Sequence, residues 1–284
     1  MKKIVLSVIF LFILLLVFRD LSAQSSKAEK AGWRLGVQAF TFHKFSFQEA
    51  VDKTQQLGLK YLEVYYGQIL GKDIQGTMDF RMDQATQQKV LAYARSKGVK
   101  IIASGVIICK DEAEWRQLFE FASAMEIEMI TCEPEYKHLK YIDQLANKYK
   151  IDVAIHNHPK PSAYWNSDLF LDAVKELSSR IGACADVGHW KRMGIDPVVA
   201  IKKCEGRLKS LHFKDIKEKA DSEAEQHDVE WGTGVCNVEE ILSELKSQNF
   251  KGLFSIEYEY NWDNSVPDIQ RCIGYFNKTA DKIF

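Results

Sequence analysis

Residues 151–215 read IDVAIHNHPKPSAYWNSDLFLDAVKELSSRIGACADVGHWKRMGIDPVVAIKKCEGRLKSLHFKD, and this stretch decides the fold. It holds three short β-type runs, Val153–His156, Gly182–Asp186 and Ser210–Phe213. Between them lie two helical patterns, Asp168–Ser178, opened by an acidic residue, and Pro197–Cys204, opened by proline. Both residue types suit the unpaired amides of a helix start. Short apolar runs separated by helices are parallel strands with crossover helices, since a tight turn cannot join a parallel pair.

The same alternation extends outward in both directions. Strands are expected at Leu35–Thr41, Tyr61–Tyr65, Lys100–Gly105 and Met129–Glu133 on one side and at Leu253–Glu257 on the other. The helices between them are Phe47–Leu57, Gln84–Lys97, Asp111–Met125, Leu139–Tyr149, Val238–Gln248 and Val266–Lys282. Gly58 and Gly98 stop two of them. Eight strand-helix units predict one α/β domain, a single (β/α)8 TIM barrel, spanning residues 24–284. An open doubly wound sheet would carry a glycine-rich phosphate loop after its first strand, and Phe40-Thr41-Phe42-His43-Lys44 is nothing of the kind.

Residues 1–23 read as a secretory signal peptide. Lys2 and Lys3 precede the apolar run from Ile4 to Phe18, and Leu21-Ser22-Ala23 offers a small residue for cleavage before Gln24. The apolar run is short for a membrane span, so no stable anchor is expected after cleavage and the address is periplasmic or secreted. The formal net charge of −1 provides no electrostatic footprint for a phosphate backbone, which argues against a nucleic-acid partner. Oligomeric state is open. The six cysteines (109, 132, 184, 204, 236, 272) show no CxxC pair, and mostly free thiols are expected.

Barrel active sites form where the strands end, and here those ends are polar. They carry His43, Glu63, Glu133, His156-Asn157-His158, Asp186 with His189, His212 with Lys214 and Asp215, and Glu257-Tyr258-Glu259. A lone His or Asp at a strand end is usually a satisfied polar residue. Six or more converging on one mouth are hard to explain as packing, and a divalent cation is the simplest partner for so many buried charges. Trp165, Trp190, Trp231 and Trp262 follow the last four strands, with Tyr164 and Tyr258 nearby. Indole faces suit the C–H face of a pyranose, although each could equally cap the core.

These marks give the chain a family resemblance. Ala185-Asp186-Val187-Gly188-His189, Leu211-His212-Phe213-Lys214-Asp215, Trp231-Gly232-Thr233-Gly234 and Ser255-Ile256-Glu257 together resemble the xylose isomerase-like TIM barrels, also called the sugar phosphate isomerase/epimerase superfamily. The resemblance runs from about Arg34 to the C-terminus. It implies metal ligation by Asp186, His212 and Glu257, substrate contact by His189, and an orienting role for Asp215. Where the family has a Glu at the end of strand 5, this sequence has His156, which then becomes the fourth ligand. Two imidazoles and two carboxylates suit Mn, Co, Zn or Fe better than Mg.

The resemblance implies proton abstraction α to a carbonyl through an enediolate, on a small sugar or an oxidised glycoside. Candidates for catalysis are Glu257, Glu133, His158 and His189. Candidates for substrate binding are His43, Glu63, Trp165, Trp190, Lys214 and Trp231. Sugar isomerase or epimerase chemistry describes most of the family and stands first. A 3-keto-glycoside lyase or hydratase that eliminates the aglycone stands second, because the second carboxylate of a two-base epimerase is missing. A non-catalytic carbohydrate-binding barrel is the third reading.

Overall fold

The computed structural model describes residues 26–220 and 226–284. Eight parallel strands close into a barrel: β1 Trp33–Gln38, β2 Tyr61–Val64, β3 Lys100–Ile107, β4 Met129–Cys132, β5 Asp152–His156, β6 Ile181–Asp186, β7 Leu208–Phe213 and β10 Gly252–Ile256. The seam joins β1 to β10, with Trp33 opposite Gly252 and Val37 opposite Ile256. Around the barrel run α1 Lys27–Lys30, α2 Phe47–Gln56, α3 Gln84–Ser96, α4 Glu112–Ala124, α5 Leu139–Tyr149, α6 Ser167–Val174, α7 Val187–Arg192, α8 Pro197–Lys203, α9 Val238–Ser247 and α10 Val266–Ile283. Two-residue strands, β8 Asp215–Ile216 and β9 Asp228–Val229, form an antiparallel hairpin beyond β7. The proposed signal segment, residues 1–23, lies outside the described residues. No helix among the described residues is long and apolar enough to cross a membrane.

Several helix starts carry a local cause. Ser46 and Glu49 form a reciprocal capping box on α2, and Asp196 caps α8 ahead of Pro197. Two departures from the sequence expectation have equally local causes. β1 stops at Gln38 instead of continuing to Thr41, because the Gln38 side chain accepts from the Phe40 amide and opens a 3-10 turn over Ala39–Phe42. The extra helix α7 begins directly after β6, because Asp186 Oδ1 accepts the His189 amide at 2.7 Å and caps it. Gly188 is required there: a Cβ would stand 2.6 Å from Cγ of Lys214.

The main core lies between strands and helices, where Trp33, Trp115, Phe119, Phe213, Phe254 and Phe276 are buried. All six cysteines are free and buried, in line with the sequence reading. Inside the barrel a smaller cluster of Ile102, Ala103, Met129, Ala154, Cys184 and Leu253, with Tyr61 packed on it, forms an apolar floor. Alternation along a strand places residues i and i+2 on one face. Two residues beyond Tyr61, Met129, Ala154 and Cys184 come Glu63, Thr131, His156 and Asp186, so the polar level sits directly above the floor.

Candidate metal centre

Four side chains from four strands converge above the floor. His156 ends β5, Asp186 ends β6, His212 lies in β7 and Glu257 follows β10, and one ligand atom from each lies within 4.8 Å of the others. All four are buried. The shorter approaches are 3.1 Å between His212 Nδ1 and Glu257 Oε2 and 3.5 Å between His156 Nε2 and Asp186 Oδ2.

Both imidazoles are aimed by a carboxylate on their far side. His156 Nδ1 lies 2.9 Å from Glu133 Oε1, and His212 Nε2 lies 3.2 Å from Glu63 Oε2. An ionised carboxylate only accepts, so these nitrogens carry protons, and His156 Nε2 and His212 Nδ1 face inward, where each presents a lone pair once its ring is neutral. Those two nitrogens are buried and make no hydrogen bond, and the Asp186 Oδ2 beside them is met by the Lys214 ammonium at 3.0 Å. Two orphaned imidazole nitrogens facing the Asp186 and Glu257 carboxylates fit a cation, since such groups are costly to bury unpaired.

The charge balance agrees. Glu63, Glu133, Asp186 and Glu257 are all held below the usual carboxylate range. Burial opposes charge on each, but the facing groups outweigh it: His212 for Glu63, His156 and His158 for Glu133, nearby imidazoles and Lys214 for Asp186, His212 and Lys214 for Glu257. The ammonium of Lys214 stands against two of these, 3.0 Å from Asp186 Oδ2 and 2.7 Å from Glu257 Oε2. The excess negative charge pulls protons onto the ion-free histidines. Burial disfavours a charged His212, yet Cys184, Glu257 and Glu63 outweigh it and hold it well above the ordinary imidazole range; His156 is raised in the same sense by Asp186 and Glu133. A divalent cation would displace those protons.

The remaining expected site residues divide. His158 stands at the rim, half exposed, with its Nδ1 on Glu133 Oε1. Glu133 also accepts from the His158 amide and from Ser162 Oγ, so its acceptor capacity is spent on orienting others. His189 is buried beside Asp186, with Nε2 at 3.6 Å from Oδ2. It lines a cavity of about 560 Å³ with Pro159, Arg192, His227, Glu259 and Trp262. His43 is half-buried at the mouth, edge-to-face with Trp262 at 4.1 Å, and half-buried Trp165 lies under the Lys160 ammonium.

Four side chains expected to bind substrate are buried in the structure. Glu63 is fully buried inside the barrel, bonded to Thr131 and His212, and orients the His212 ring. Lys214 is also fully covered and neutralises Asp186 and Glu257. Trp231 packs against Phe213 at 4.8 Å in the helix layer, because residue 213 points out of the barrel when His212 points in. Trp190 is 2% exposed on α7. Asp215 does orient its region, accepting from the amides of Ile216, Gly232, Gly234 and Cys236. Arg192 and Asp228, joined at 2.6 Å beside His189, were not singled out as site residues; they meet only through the hairpin, and no local motif marks them.

Comparison with known proteins gives the class. Residues 51–276 match the family model of the xylose isomerase-like TIM barrel, and the chain belongs to that family. A crystal structure of an uncharacterised protein from Parabacteroides distasonis ATCC 8503 is 36% identical, covers 87% of this chain and 99% of its own, and superposes with a TM-score of 0.71. The zinc-bound IOLI protein, at 15% identity, shares the fold over 88% of this chain and 99% of its own with a TM-score of 0.70. An inosose dehydratase of Bacillus thuringiensis (strain Al Hakam) is 22% identical over 135 residues, which span 43% of this chain and 45% of that relative.

Proposed function

We propose that this protein is an exported, metal-dependent lyase that removes the proton α to a carbonyl of an oxidised glycoside and eliminates the β-substituent. His156, Asp186, His212 and Glu257 would hold the cation, with Mn, Co, Zn or Fe suited to the two nitrogens and two carboxylates. When bound, it would supply Lewis-acid polarisation of the substrate oxygens.

The observation that carries the reading is the state of Glu133. It is engaged by His156, His158 and Ser162, while His156 takes the strand-5 ligand position. The strand-5 side therefore offers His158 as base, its Nδ1 proton held by Glu133 and its other nitrogen free to accept. On a 3-keto-glycoside, His158 takes the C2 proton and the C–H electron pair becomes the new double bond. The C1–O bond to the aglycone breaks, and the departing oxygen needs a proton. Glu259 is held above the usual carboxylate range by burial, which suits it to return one. One base on one face is enough for elimination, whereas two-base epimerisation needs a partner opposite.

Isomerase or epimerase chemistry is the second reading, and Glu259 favours it, since it lies in the loop beyond β10, 3.6 Å from Lys214, and could exchange protons there. Incubating cation-loaded protein with 3-keto-glucosides, and separately with free ketoses in deuterated water, decides between them. Aglycone release is expected. Deuterium entering a free ketose at a typical enzymatic rate, about 10 per second, without aglycone release, would select the second reading. Export rests on residues 1–23, and N-terminal sequencing of the mature protein should begin at or near Gln24.

A further inference from the structure

We propose that Arg192, anchored by Asp228, fixes His189 with its proton on Nε2, making it a hydrogen-bond donor to the substrate and withholding it from cation binding. Arg192 and Asp228 are positioning residues in this account. His189's role toward substrate rests on the functional reading above, whereas its tautomer does not.

Two overlapping histidine groups occupy the mouth. His156 belongs to the four-residue centre and also, with His158 and His189, to a group of three imidazoles whose nitrogens lie within 4.8 Å of one another. Proximity alone would permit a second cation there. Arg192 decides against it. Its Nη1 lies 3.2 Å from His189 Nδ1, and a guanidinium has only N–H groups to offer. Nδ1 must therefore accept, which leaves the ring proton on Nε2, the nitrogen beside Asp186. With one nitrogen accepting and the other protonated, His189 has no lone pair for a metal.

The guanidinium is itself held on several sides. Nη2 reaches Asp228 Oδ1 at 2.6 Å and the Gln226 carbonyl at 3.2 Å, and Nε approaches the same carbonyl at 3.4 Å. Asp228 is fully buried, and its Oδ2 accepts the Glu259 amide at 2.8 Å. The β8–β9 hairpin thus sets His189 and the backbone of Glu259 through one carboxylate.

The test uses the full chain labelled with 15N-histidine, with His189 assigned by its loss in His189→Gln. Long-range proton–nitrogen spectra should show His189 Nε2 protonated and Nδ1 bare, and zinc titration followed by metal analysis should give one ion per chain. Arg192→Leu should mix the two tautomers and lower kcat on a 3-keto-glucoside by about tenfold or more, with KM little changed, and Arg192→Lys should restore part of it. A wild-type spectrum with the proton on Nδ1, or two zinc ions per wild-type chain, overturns the proposal. So does an Arg192→Leu spectrum identical to wild type at His189. Should wild-type protein fail to turn over the 3-keto-glucoside, the lyase reading falls while the spectrum still decides the tautomer.

Discussion

The two halves of the barrel wall do different work at the mouth. All four candidate ligands come from β5, β6, β7 and the end of β10. From β2 and the end of β4 come Glu63 and Glu133, which touch the same centre only through the backs of its two imidazoles. One half offers the candidate ligands and the other aims them. A histidine has two nitrogens, and only a partner on one of them decides what the other presents. The carboxylates of the aiming half are thus part of the centre although neither reaches its middle.

The largest effect should come from breaking the ligating half. Asp186→Asn or His212→Gln should abolish retention of a cation through dialysis, seen as loss of the zinc-dependent rise in Tm that tight binding gives. Retention by either variant would mean that the four residues do not form the site.

Breaking the aiming half should do less. Glu133→Gln and Glu63→Gln keep an acceptor but remove its charge, and each should weaken zinc binding by about 10–100-fold. If either matches Asp186→Asn, the division of labour between the halves is wrong.

The next effect is a pH dependence. His156 and His212 sit above the ordinary imidazole range in the ion-free protein and must lose their protons to ligate. Zinc affinity should therefore strengthen between pH 6 and 8, about tenfold per unit for each proton displaced, and level off above their ion-free pKa values. Isothermal titration in buffers of different ionisation enthalpy measures the protons released, and no release would contradict the raised histidines.

The smallest effect concerns a tryptophan that belongs to neither half. Trp231→Phe should cost about 1 kcal/mol of stability by denaturant unfolding and leave zinc affinity and KM unchanged.

The ligating half was the legible one. Asp186, His212 and Glu257 sit in short motifs at strand ends, and the structure brings them together with His156. The aiming half was harder to read, because nothing local to Tyr61-Leu62-Glu63 shows that residue 63 lies inside the barrel. Glu63 was expected at the mouth, and its place behind His212 follows only from the register two residues above the floor position Tyr61. The tryptophans misled because position after a strand does not reveal whether a side chain points into the mouth or into the helix layer. The helix α7 was missed because Asp186 is both a strand end and a helix cap, and the hairpin because its strands are two residues long and charged.

One packing detail bears on how the protein can be handled. Lys27 Nζ reaches the Asp281 carbonyl at 3.1 Å, and the rings of Trp33 and Phe284 stand 5.0 Å apart. Residue 33 begins the first barrel strand, so both stretches of chain meet on the face opposite the mouth. A purification handle or surface attachment placed after Phe284 therefore points away from the entrance. The same adjacency makes a circular permutant practicable, with a short linker joining residue 284 to residue 27 and new ends opened in a distant loop.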